Sequence, residues 1–248
     1  MSEVVARPGG ELASRPLHFF WVVDCSGSMY GEKIGTVNNA IQSVLPEMRD
    51  VAADNPNAQL LIRALKFSTG ASWVTDSPVK VEDYAWEDLE ASGVTDLGKA
   101  FDLLSAQLSV DEMGERALPP VIVLLSDGQP TDDYKKSLTK FQKLPWVKKA
   151  VKIAISIGQD ADDDVLREFT GNMELVLQAN NAKDLASMIK WASTAISAVS
   201  AGASNSPQSD GSDNSEEGAD SGRSSSGNGP LILDMDNIPD PTDADDVW

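Results

Sequence analysis

Leu17-His18-Phe19-Phe20-Trp21-Val22-Val23-Asp24-Cys25-Ser26-Gly27-Ser28 carries an apolar, β-rich run that ends abruptly in a carboxylate and two hydroxyls. A run of that length and composition reads as a strand buried on both faces, the kind found in parallel sheets. Residues two apart in an extended or gently turning segment face the same side. Asp24, Ser26 and Ser28 are therefore aimed at one point, and Cys25 is turned inward as a small core residue. Three hard oxygens converging at a strand end suit a hard divalent cation.

The same chemistry recurs downstream. Residues 117–126 form a second apolar run, read as a strand, that ends in Ser126-Asp127-Gly128-Gln129-Pro130-Thr131-Asp132. Between the two strands, Ala91-Ser92-Gly93-Val94-Thr95-Asp96-Leu97 leads into a helical pattern of Leu97, Ala100, Phe101, Leu104 and Leu108. Three loops at the carboxyl ends of parallel strands meet in the crevice where open α/β sheets place their ligands. The candidate ligand set is Asp24, Ser26, Ser28, Thr95 and Asp127. Ser, Thr and Asp also favour turns and N-caps, the plain alternative for each position. Mg²⁺ is the cation expected, with Mn²⁺ or Ca²⁺ as substitutes. Only two of the five residues are charged, which leaves the ion electrophilic toward a carboxylate brought by another molecule.

At these five residues the chain resembles a von Willebrand factor A domain with its metal-ion-dependent adhesion site, whose pattern is DxSxS, then a threonine, then an aspartate. A narrower likeness lies in residues 126–133, in residues 91–98 and in Met188-Ile189-Lys190-Trp191-Ala192-Ser193-Thr194-Ala195-Ile196-Ser197. These look like the TerY-type bacterial proteins of tellurite-resistance and related stress clusters. The resemblance covers about residues 15–200. It departs at Cys25, often a threonine there, and at Gly93-Val94-Thr95, where many relatives carry a second glycine; neither removes a ligand. It implies a non-catalytic, metal-dependent adaptor in a bacterial stress or defence system, partnered with a Ser/Thr kinase and a metal-dependent phosphatase.

Around this centre the pattern alternates strand and helix. A helix is expected over residues 33–54, bent at Pro46, then a strand over 58–67 with a partner near 72–75. A helix from Leu97, the strand ending at Ser126, a helix near 133–143 and a strand over 151–157 continue the rhythm. A short helix near 162–169, a strand over 174–178 and a last helix over 182–200 complete it. The fold class expected is α/β: a doubly wound, mostly parallel, Rossmann-like sheet with helices on both faces.

Four segments are expected along the chain: a flexible N-terminal stretch over 1–15, the folded domain over 16–200, a linker over 201–229 and a docking peptide over 230–248. The 248 residues carry a net charge of −19, and 11 acids against 1 base lie in residues 201–248. Such a chain is repelled by nucleic-acid phosphates and by anionic membranes, so its partners should be proteins or cations. Residues 201–228 hold nine serines and five glycines with no aromatic and no β-branched residue, a composition expected to be disordered. Beyond it Leu231, Ile232, Leu233, Met235, Ile238, Val247 and Trp248 stand among acids and read as partner-binding anchors. One cysteine, no signal-like N-terminus and no apolar stretch long enough to span a bilayer point to a cytoplasmic protein.

Enzymatic readings fail on residue types. A haloacid-dehalogenase-type phosphatase needs a second Asp where Ser26 stands, and a serine hydrolase needs G-x-S-x-G with a histidine base. His18 lies at the far end of its strand with no evident partner. A receiver domain needs a lysine on its last strand, where Ile155-Ser156-Ile157-Gly158 has none. Two further readings stand beside the adaptor. One is a regulatory phospho-substrate acting through its tail; the other is a subunit of a ring-ATPase complex of the magnesium-chelatase kind.

Overall fold

The structure is a computed structural model that describes residues 14–204 apart from 56 and 160. The N-terminal stretch 1–13, the linker beyond residue 204 and the docking peptide, with all seven of its anchors, lie outside the described residues.

In chain order the elements are β1 (Arg15–Asp24), α1 (Glu32–Ala53), β2 (Ala58–Ser68), β3 (Gly70–Trp73), β4 (Val79–Lys80), α2 (Leu97–Gln107) and α3 (Val110–Met113). There follow β5 (Val121–Ser126), α4 (Tyr134–Phe141), α5 (Pro145–Lys149), β6 (Val151–Ile157), α6 (Asp163–Thr170), β7 (Val176–Ala179), α7 (Ala182–Ser193) and α8 (Ala195–Ser204). They build one seven-stranded sheet in the order β3-β2-β1-β5-β6-β7, with β4 pairing β2. The pairs β2-β1, β1-β5, β5-β6 and β6-β7 are parallel, and β3 and β4 run antiparallel on β2. The expected doubly wound, mostly parallel sheet is the one observed.

The central strands read as continuous apolar runs because both faces are covered. Phe19, Trp21 and Val23 point into the layer of α1, α7 and α8, together with Ile41, Val44, Ile189 and Val199. Phe20 and Val22 point into the opposite layer, with Phe101 of α2, Phe141 of α4 and Phe169 of α6. Those three phenylalanine rings lie 5.4 to 6.2 Å apart and bind the three helices to one another. Each such fully buried side chain contributes about 1.5–3 kcal/mol of transfer free energy. Strand order reverses on either side of β1, which puts the topological switch point between β1 and β5.

Several boundaries differ from the sequence reading, each for a local reason. β5 starts at Val121 and not at 117, because Pro119 and Pro120 have no N–H to give the ladder. The expected last helix divides at Thr194. There the Ser193 hydroxyl donates to the Lys190 carbonyl and the Thr194 hydroxyl to that of Trp191, both 2.7 Å, in competition with the helical ladder. β7 begins only at Val176, after a 3-10 turn at Met173–Leu175 capped by Asn172. α1 runs through Pro46 as one helix.

Candidate metal centre

β1 delivers Asp24 to the switch point at the carboxyl end of the sheet. One oxygen of its carboxylate accepts the Ser26 N–H at 2.8 Å, and the other accepts the Ser126 hydroxyl at 2.6 Å. Past Ser26 the chain does not stay extended. Gly27–Met29 form a 3-10 turn, and the wholly buried Met29 side chain anchors it. This turn brings the Ser26 and Ser28 hydroxyl oxygens within 3.0 Å of each other. The two serines thus converge, but by a tight turn and not by strand alternation. Cys25 points into the core as expected, and burial with the Asp24 carboxylate beside it pushes its thiol up to about 12.

The middle loop is laced to the first and the third. Gly27 N–H donates to the Gly93 carbonyl and Ser92 N–H to that of Cys25. Buried Thr95 donates its N–H to the Thr131 hydroxyl at 3.0 Å, and Thr131 N–H returns a bond to the Thr95 carbonyl at 2.8 Å. Asp96 sits at the N-cap position of α2 yet makes no side-chain cap there; its carboxylate accepts the Gly70 N–H at 2.7 Å. Asp132 accepts the Gly98 N–H at 3.1 Å. Both acids hold the loops in place from outside.

β5 delivers Asp127, fully buried, one residue past Ser126. Neither of its carboxylate oxygens has a hydrogen-bond partner. A buried carboxylate without donors is costly, and bound cations are a usual compensation. Asp24 meets the same pressure: burial, aided by the nearby Asp127 charge, raises its pKa to about 6 against the opposing bonds from Ser126 and Ser26. Among the described residues no group of three or more His, Cys, Asp or Glu is placed to hold a metal. A cation here would rest on two carboxylates supplemented by hydroxyls.

All five residues singled out in the sequence thus arrive at these three interlocked strand-end loops. Asp24, Ser26, Thr95 and Asp127 are buried, and Ser28 is exposed at the rim. Near it Tyr30 and Val94 are among the few large apolar side chains that are exposed, 78% and 45%. Sequence reasoning passed over Ser126 and Thr131. Ser126 had a signal, as a hydroxyl at a strand end directly before the acid; Thr131 had none beyond its loop. His18 is a core residue: it stacks on Phe20, its Nδ1 has no partner, and burial lowers its pKa to about 4. Among the described residues no helix is long and apolar enough to cross a membrane.

The family model described as von Willebrand factor type A domain matches residues 20–191. Among curated proteins, inter-alpha-trypsin inhibitor heavy chain H2 of Mesocricetus auratus is 29% identical over 191 residues, and that of Mus musculus is 28% identical. Each of these alignments takes in 71% of this chain but only 19% of the relative. Among solved structures, the pilus adhesin SpaC from Lactobacillus rhamnosus GG superposes with a TM-score of 0.59 at 15% identity, over 75% of this chain and 30% of that one. The ArnB paralog VWA2 from Sulfolobus acidocaldarius gives 0.53 at 19%, over 71% and 45%. Proximal thread matrix protein 1 from the mussel byssus, with a zinc-occupied MIDAS motif, gives 0.54 at 17%, over 74% and 48%. At these identities the structural likenesses speak for the fold alone.

Proposed function

Since the chain belongs to the von Willebrand factor type A domain family, we propose that it is a metal-dependent protein-interaction module whose centre is Asp24, Ser26, Ser28, Thr95 and Asp127. The observation that carries this reading is the buried Asp127 carboxylate, both oxygens unpartnered, beside a second buried carboxylate and paired serine hydroxyls. That donor set is made of hard oxygens and fits Mg²⁺, with Mn²⁺ or Ca²⁺ able to replace it. The zinc held by the mussel protein's MIDAS motif supports a divalent cation at such a site. When bound, the cation supplies a coordination position for a carboxylate from a partner protein.

The chain's own residues do the rest. Asp24 and Asp127 hold the charge, and Ser26, Ser28 and Thr95 fill positions without adding any. Exposed Tyr30 and Val94 offer apolar surface to whatever flanks the incoming carboxylate. A serine with no histidine base, and an aspartate with no second acid in position, support a non-catalytic role. The TerY-like residues support an adaptor in a bacterial stress or defence system, cytoplasmic, with a Ser/Thr kinase and a phosphatase as partners. The acidic, apolar segment over 230–248 serves this reading as a second docking element.

Affinity capture with the full chain tests the proposal. A partner should be retained in Mg²⁺, released by EDTA, and absent with Asp127→Ala. Capture that is indifferent to both EDTA and the substitution would contradict it.

A further inference from the structure

Ser126 lies outside the five-residue set, yet its hydroxyl is bonded to both acidic loops. Its Oγ donates to Asp24 at 2.6 Å and accepts the Gly128 N–H at 2.9 Å, and the residue is fully buried. A serine hydroxyl has one proton and two lone pairs, so both bonds are made at once without conflict. The proton is committed to Asp24, and a lone pair is committed to the turn that carries Asp127. Register explains the placement. Val23 pairs with Leu125 across β1 and β5, so the next step brings Asp24 level with Ser126.

Further constraints on Asp127 act on its backbone. The Asp162 N–H donates to the Asp127 carbonyl at 2.7 Å, and Gly128 sits at φ 68° against the Asp162 backbone. None of these reaches the Asp127 carboxylate, which has no protein donor of its own. Beyond the β1–β5 ladder, the Ser126 hydroxyl thus ties the Asp24 carboxylate directly to the turn that carries the second, mutually repelling carboxylate.

We infer that Ser126 is a positioning residue for the cation: it fixes the Asp24 carboxylate relative to the Asp127–Gly128 turn, so that both acids face one ion. The inference rests on the metal-site reading above. Groups that orient ligating carboxylates typically change metal affinity by about 10- to 100-fold when removed. Ser126→Ala in the full chain should lose that much Mg²⁺ affinity, and Ser126→Thr, which keeps the hydroxyl, should stay near wild type. A merely structural hydroxyl would lower metal-free melting and leave the Mg²⁺ affinity of the folded protein unchanged.

The experiment is Mg²⁺ calorimetry on wild type, Ser126→Ala, Ser126→Thr and Asp127→Ala, alongside their melting in EDTA. Weak binding by Ser126→Ala with rescue by Thr supports the inference. Equal affinity of Ser126→Ala and wild type, with Asp127→Ala inactive, overturns it and leaves the metal site standing. Absent Mg²⁺ binding by wild type, or full binding by Asp127→Ala, overturns the site reading itself. If Ser126→Ala does not fold, Ser126→Thr and Ser126→Val, matched in shape, carry the same comparison, and equal affinities in that pair refute the inference.

Discussion

At the scale of single residues, Asp24 and Asp127 mark a candidate site by what they lack. Both are fully buried, and the protein's own donors reach only one of them. Their consequence for stability is pH-dependent, with a definite sign. Asp24 has a folded pKa near 6 against an ordinary 3.8, so the folded state holds its proton more tightly than the unfolded chain. Its contribution to stability is full below about pH 4 and is lost as pH rises through about 6, by about 3 kcal/mol in all. Denaturant unfolding in EDTA should show this fall for wild type relative to Asp24→Asn, levelling off above about pH 7. Saturating Mg²⁺ should reverse the trend, because the ion needs the ionised carboxylate. The five candidate ligands were legible in the sequence because residue type and position behind a strand carry their chemistry. The bonds of Ser126 and Thr131 were not, because they depend on which strands and loops become neighbours.

Elements with a long period could be read directly. α1, β2, α2 and β6 fall within one or two residues of where apolar spacing put them. β4, α3 and α5 have two to five residues each, too few to show a period, and tertiary contacts set them. The α7–α8 break escaped the pattern because hydroxyls at 193 and 194 interrupt the ladder without interrupting the apolar stripe. The turn after β5 gives a sharper test of how elements hold the centre. Gly128 has φ 68°, and a Cβ there would lie 2.5 Å from the Asp162 carbonyl oxygen, next to α6. Gly31 is also in the positive region, φ 84°, but faces open space. Gly128→Ala should therefore cost about 2 kcal/mol or more, and clearly more than Gly31→Ala, by urea unfolding. It should also weaken Mg²⁺ binding, since the displaced turn carries Asp127.

For the whole molecule, charge and topology point the same way. A chain at −19 with 41% hydrophobic residues folds around a two-sided core and gathers its five candidate ligands at one end of the sheet. The apolar core was legible because both faces of the central strands are covered and the strands therefore read as unbroken runs. The acidic segment after residue 229 was legible only as composition. If it is a separate docking element, a chain ending at Gly229 should melt like the full chain and lose one partner from affinity capture. A lower melting temperature on truncation would show instead that the segment packs on the domain.

The central claim, that a divalent cation is held among Asp24, Ser26, Ser28, Thr95 and Asp127, is tested most directly by anomalous diffraction from crystals grown in Mn²⁺. The account predicts a single strong peak at the carboxyl ends of β1 and β5, facing the Asp127 carboxylate. No peak there at saturating Mn²⁺, with the Asp127 oxygens bonded to protein donors instead, would contradict it.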